Sequence, residues 1–158
     1  YGFPAILGAK IGCPDTPVIG FAGDGAFGIS MNEMSSCARK EWPAITMVIF
    51  RNYQWGAEKR NSILWFDDNF VGTELDPELS YAKVADACGL KGVTVKTMEE
   101  TTKAIKQSCV DQKNGITTFI EVILNQELGE PFRRDAMKKP VAVAGIKKQD
   151  MKPQKGLN

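Results

Sequence analysis

Histidine is absent from the 158 residues of this chain. Its absence excludes Ser–His and Cys–His couples. Any proton transfer is left to carboxylates, Lys, Tyr, Cys or a bound cofactor. The four cysteines, Cys13, Cys37, Cys88 and Cys109, show no C-x-x-C pairing and no regular spacing, so a Cys-only zinc site finds no support. They read as small buried residues in a reducing compartment, with the cytoplasm as the expected location. Charge of one sign is also lacking: the net value is +1, which offers no field for nucleic acid or an anionic membrane. No apolar run reaches bilayer length and no signal-peptide pattern opens the chain. Finally, there is no initiating Met. The opening Tyr1-Gly2-Phe3-Pro4 looks like the middle of an element, and the chain is expected to belong to a longer polypeptide.

What is present is ordinary for a globular domain, with 43% hydrophobic and 25% charged residues. One core is the default at this length. Helix-forming residues from Ala5 to Ile11 follow Pro4, a good first-turn position. Val18 to Ala22 and Ile45 to Phe50 are short apolar runs that read as buried parallel strands. Between them, Ser30 and Glu33 match a capping box, predicting a helix from about Met31 to Lys40. From Asn52 to about Glu78 aromatics interleave with charges without a period, a functional loop or a stretch hiding short helices. Tyr81 to Cys88 predicts a helix closed by Gly89, Gly92 to Lys96 a strand, Met98 to Gln112 a helix stopped by Asn114-Gly115, and Thr117 to Leu124 a strand. This order predicts an α/β fold, an open parallel sheet with helices on both faces. Residues 1–125 would form the binding domain and 126–158 a basic tail.

Gly23-Asp24-Gly25 closes the first apolar run, and Arg51-Asn52 closes the next. Residues 26–51 between them suffice for one helix and one strand, so an acidic loop and an amide loop would meet at one sheet edge. Asp and Asn are hard oxygen donors, suited to a magnesium ion that keeps phosphate oxygens and water. The same segment, through Gly28, satisfies G-x-G-x-x-G, so a dinucleotide site competes. A carboxylate at Asp24 would repel a pyrophosphate unless a cation lay between them. The second strand, moreover, ends in Arg51-Asn52 where a ribose-binding acid is wanted. A metal-held diphosphate is the favoured reading, with Asp24 and Asn52 as magnesium ligands. The helix starting near Met31 would aim its N–H groups at the diphosphate, and Gly25 and Gly28 would admit the phosphates.

Gly-Asp-Gly followed by helix, strand and Asn resembles the thiamine diphosphate motif of the acetohydroxyacid synthase and pyruvate oxidase superfamily, as does the segment from Tyr1 to Lys10. The resemblance implies a diphosphate-side module contacting thiamine diphosphate through Gly23, Asp24, Gly25, Ala26, Asn52, Gln54, Trp55 and Gly56. It adds the backbone carbonyl of Gln54 as a third Mg2+ ligand. The family usually has Asn-Asn where this chain has Arg51-Asn52; Arg51 could reach a phosphate or sit as a solvated strand-end charge. The activating carboxylate lies in an N-terminal pyrimidine-binding domain of a second subunit, so no catalytic residue is assigned within this chain. A homodimer or homotetramer is expected, and the chain alone should be inactive.

A narrower likeness runs through Asn52–Gly56, Leu64–Phe70 and Gly129–Pro140. These segments are similar to the sulfoacetaldehyde acetyltransferase branch, implying conversion of sulfoacetaldehyde and phosphate to acetyl phosphate and sulfite. Enzymes acting on 2-oxoacids, and a noncatalytic subunit that keeps the fold, are the alternatives. Trp55, Trp65 and Phe66 could wall a substrate pocket or pack the core. Glu58, Lys59 and Arg60 could face substrate or form a solvated turn. Arg133 and Arg134, beside Lys138 and Lys139, could contact an oxyanion or lie in solvent.

Overall fold

The computed structural model describes residues 1–127. Four parallel strands form one sheet in the order β1-β2-β4-β3, where β1 is Ile19–Gly23, β2 Thr46–Arg51, β3 Lys91–Val95 and β4 Thr118–Ile123. The helices are α1 (Gly2–Gly12), α2 (Asp24–Gly28), α3 (Met34–Cys37), α4 (Gly56–Trp65), α5 (Tyr81–Ala87) and α6 (Met98–Lys113). The sheet, with α1, α2, α3, α5 and α6, belongs to a compact unit made of Tyr1–Gln54 and Leu75–Gln126. Residues Trp55–Glu74, including α4, belong to a second unit.

Within the first unit, strand alternation builds two cores. Met47 and Ile49 of β2 and Phe119 of β4 pack with Phe3, Leu7, Phe27, Met34, Tyr81 and Ala85 from α1, α2, α3 and α5. The intervening Val48, Ile120 and Val122 pack with Val95 and with Ala104 and Ile105 of α6. Adjacent strand residues point to opposite faces, so a nearly continuous apolar run is what a sheet covered on both sides requires. The α/β expectation is therefore met, with helices on both faces.

Local chemistry explains the element ends. Thr97 caps α6 in a full capping box with Glu100, and α6 stops at Gly115, whose φ of 73° is open to glycine. Gln112 at the other end of α6 clamps the start of β1. Its Oε1 accepts from Val18 N at 2.9 Å and its Nε2 donates to Val18 O at 2.9 Å and Thr46 Oγ1 at 2.7 Å. Gly92 marks where α5 crosses β3, since a Cβ there would lie 2.0 Å from Ala82 O.

The helix expected over Met31–Lys40 does not form as one piece. Helical structure starts earlier, at Asp24, and continues as α2, a 3₁₀ turn at Met31–Glu33, and α3. The capping box fails for a local reason: Ser30 makes no side-chain cap, its N–H donates to Phe27 O, and Glu33 accepts from Ser36 Oγ instead of reaching back. Among the cysteines only Cys37 is buried; Cys13 is exposed and Cys88 and Cys109 are half-buried. Burial pushes the Cys37 thiol up to about 12, with Glu33 adding to the effect, so it is an inert packing group. No helix among the described residues is long and apolar enough to cross a membrane.

In the second unit, the irregular stretch conceals α4. Trp55 N–H donates to Thr73 O at 2.8 Å. Lys59 pairs with Glu74 and sits 5.5 Å from the Phe70 ring centre. Glu58, Lys59 and Arg60 thus occupy a helix rather than a turn. Asp67 and Asp68 both take positive φ after it, which is uncommon outside glycine and more tolerable for Asp than for most residues.

Candidate functional site

Parallel registry places Gly23 opposite Phe50. Asp24 and Asn52 therefore both leave the sheet at its carboxyl edge, on neighbouring strands about 4.8 Å apart. Open α/β sheets bind ligands at this edge. Asp24 is 2% exposed, although it begins a helix at the end of a strand. Its Oδ1 accepts from Gly25 N at 2.9 Å and its Oδ2 from Tyr53 N at 2.7 Å. The second bond ties the loop after β2 to the end of β1 and keeps Asn52 beside Asp24. Tyr81 Oη donates to the Asp24 carbonyl at 3.2 Å. Burial pushes the Asp24 carboxyl above its ordinary value, against the opposing pull of the Tyr53 and Gly25 N–H groups and of Arg51. A desolvated carboxylate in this state is one that a cation would stabilise.

Among the described residues, no three His, Cys, Asp or Glu side chains cluster as a metal cage. The donors at this edge are one carboxylate, the Asn52 carboxamide and backbone oxygens. That set suits a magnesium ion retaining water and phosphate oxygens better than a metal needing a full protein shell. Gly23 strengthens the fit, because a Cβ there would meet nothing within 4 Å. The chain's own packing does not demand glycine at that position, and the space beside it is open.

Gln54 is 2% exposed. Its Nε2 donates to Gln126 O at 2.8 Å, whereas its Oε1 is buried without a partner. Trp55 and Gly56 begin the second unit, as the residue before α4 and its first residue. Trp55, Trp65 and Phe66 are half-buried. Arg133, Arg134, Lys138 and Lys139, and the rest of the basic tail from residue 128, lie outside the described residues.

Arg51 corrects both expectations held for it. It is 5% exposed and neither solvated nor free to reach out. Its Nη1 donates to Glu121 Oε1 at 2.6 Å and its Nη2 to Pro77 O at 3.0 Å. The residues at positions 47, 49 and 51 share one face of β2, so Arg51 points inward above the core rather than along the sheet edge. Sequence reasoning also passed over Glu121, Tyr53 and Tyr81. A signal existed for the first: a lone Glu inside the apolar run Thr118–Ile123 requires a buried partner, and Arg51 is the cation at the end of the adjacent strand.

A desolvated carboxylate at the carboxyl edge of a parallel α/β sheet sits where proteins of the open-sheet class hold small molecules. More narrowly, the chain belongs to the family of thiamine pyrophosphate enzymes through their C-terminal TPP binding domain, matched over residues 1–122. It is 76% identical over 157 residues to a probable sulfoacetaldehyde acetyltransferase of Rhizobium meliloti (strain 1021), covering 99% of this chain and 27% of that protein. It is 71% identical over 154 residues to a sulfoacetaldehyde acetyltransferase of Roseovarius nubinhibens, covering 98% of this chain and 26% of the relative. The chain thus spans about a quarter of the length of these curated relatives. Among solved structures, a thiamine diphosphate-dependent 4-hydroxybenzoylformate decarboxylase of Rhodococcus jostii RHA1 superposes with a TM-score of 0.71 at 29% identity, over 81% of this chain and 23% of that one.

Proposed function

We propose that this chain is the diphosphate-side module of a thiamine diphosphate- and Mg2+-dependent acetyltransferase. The polypeptide containing it would convert sulfoacetaldehyde and phosphate to acetyl phosphate and sulfite. The observation that carries the reading is the degree of the likeness. Identity to a probable sulfoacetaldehyde acetyltransferase reaches 76% over 99% of the chain, against 32% and 24% to two acetolactate synthases, one of which also spans 99% of it.

In this reading Asp24 and Asn52 hold the magnesium ion, with the Gln54 carbonyl as a third protein ligand. Gly23, Gly25 and Ala26 line the approach of the diphosphate, and Trp55 and Gly56 follow the metal loop. Bound thiamine diphosphate supplies the carbon nucleophile, the electron sink and an internal base, which suits a chain without histidine. The work of this chain's residues is to hold and orient. Asp24 offsets the cation's charge, and its buried setting leaves that charge little screened by solvent. The N-terminal pyrimidine-binding domain of a second subunit would complete the site, in a homodimer or homotetramer located in the cytoplasm.

The test is sulfite release by the complete polypeptide, given sulfoacetaldehyde, Mg2+ and thiamine diphosphate, with and without inorganic phosphate. Phosphate-dependent sulfite matched by acetyl phosphate is expected. Cofactor binding without any sulfite would move the enzyme to the 2-oxoacid-using branch.

A further inference from the structure

Two hydrogen bonds reach Asp24 from beyond its own turn, from Tyr53 N to Oδ2 and from Tyr81 Oη to the main-chain oxygen. Both tyrosines lie against the same guanidinium. Arg51 Cζ is 4.5 Å from the Tyr53 ring centre and 5.8 Å from that of Tyr81. Its partner Glu121 is 1% exposed and accepts four hydrogen bonds. Besides Arg51 Nη1, Oε1 takes Tyr81 N at 3.1 Å, while Oε2 takes Ser80 Oγ at 2.8 Å and Thr94 Oγ1 at 3.2 Å. One ion pair therefore joins β2, β4, β3 and the start of α5 at a single point, and reaches the Asp24 loop through the two tyrosines.

Burying such a pair is costly, and its retention is weak evidence for stability in itself. Tyr53 supplies the reason for a positional role. Its φ is 62°, a conformation a bulky residue rarely adopts, and one that persists only where surroundings over-determine it. At this same residue the backbone N–H donates to Asp24 Oδ2 at 2.7 Å. The planar guanidinium stacked on the Tyr53 ring is the group positioned to hold it there.

We infer that Arg51 and Glu121 are positioning residues for the metal loop: the pair clamps Tyr53 and Tyr81 so that both orient Asp24 toward the cation. This rests on the metal–diphosphate reading of Asp24 and Asn52. Arg51 does not touch the ligand in this scheme and acts through the two tyrosines.

The test uses the complete polypeptide and titrates Mg2+ at fixed thiamine diphosphate, following cofactor uptake by equilibrium dialysis. Thermal unfolding of each metal-free variant is measured alongside. Arg51→Met should weaken Mg2+-dependent uptake by about 10- to 100-fold, the range for groups that orient a metal ligand. Arg51→Lys, which keeps the charge but not the planar fork, should recover part of it. Tyr81→Phe, removing only the hydroxyl on the Asp24 carbonyl, should shift uptake in the same direction with the fold intact. A folded Arg51→Met protein with wild-type Mg2+ dependence and only a lowered unfolding midpoint would overturn the positioning role. Should Arg51→Met fail to fold, Tyr81→Phe and Tyr53→Ala decide the matter, and wild-type uptake in both overturns it. Failure of the unaltered protein to take up cofactor with Mg2+ would overturn the underlying site reading itself, separately from any variant.

Discussion

Asp24 is held by three hydrogen bonds and almost no solvent, so its chemistry is set by burial rather than by a partner cation within the protein. In the polypeptide containing this chain, Asp24→Ala should abolish magnesium-dependent retention of thiamine diphosphate on gel filtration; retention equal to wild type would sink the metal assignment. The same burial has a pH signature. Because the folded carboxyl is raised above its unfolded value, the native state keeps a proton that the unfolded chain has already released. Stability of the metal-free protein should therefore fall as pH rises through that window, and stay lower above it. Glu41, Glu100 and Asp111 are held below their ordinary values and work the other way, so the fall is read as a difference: from about pH 4 to pH 7 wild type should lose stability relative to Asp24→Ala. The loss of two backbone contacts in the variant shifts its curve without adding a slope. Identical slopes would mean that Asp24 is solvated.

At the scale of elements, the parts that could be read in advance were those in which local preference and tertiary packing agree. The strands β1, β2, β3 and β4 and the helices α5 and α6 fall within a residue or two of their expected limits, because apolar runs, Thr97 with Glu100, and Gly115 all act locally. The segment after Gly23 departs from its local pattern because its cap residues are engaged elsewhere, Glu33 by Ser36 and the Ser30 N–H by Phe27. A contact between elements also decides a residue's identity at Gly92. Gly92→Ala should force α5 away from β3, since the new Cβ would overlap Ala82 O. A loss of about 1–3 kcal/mol or more is expected from such overpacking, read from the urea midpoint. A loss under about 0.5 kcal/mol, the range of an unremarkable surface change, would mean that α5 can slide freely on the sheet.

At the scale of the whole molecule, the chain is about a quarter of its curated relatives in length, and the activating carboxylate is expected in another domain. The 158-residue chain alone should therefore release no sulfite from sulfoacetaldehyde when Mg2+, thiamine diphosphate and phosphate are supplied. Turnover by this chain alone would show that its own residues complete the site. What the amino-acid order determined by itself was the α/β layout, the placing of Asp24 and Asn52 at the ends of successive strands, and the donor chemistry they offer. These follow from short-range periodicity, turn residues and side-chain hardness. The tertiary structure alone decided that Arg51 turns inward to Glu121, that Tyr53 takes a left-handed backbone, and that Tyr81 reaches the Asp24 carbonyl. Each depends on residues dozens of positions apart meeting above one core, and on the cost of leaving a buried charge or N–H without a partner. No local pattern encodes those meetings, because they exist only once β1, β2, β4 and α5 have taken their places together.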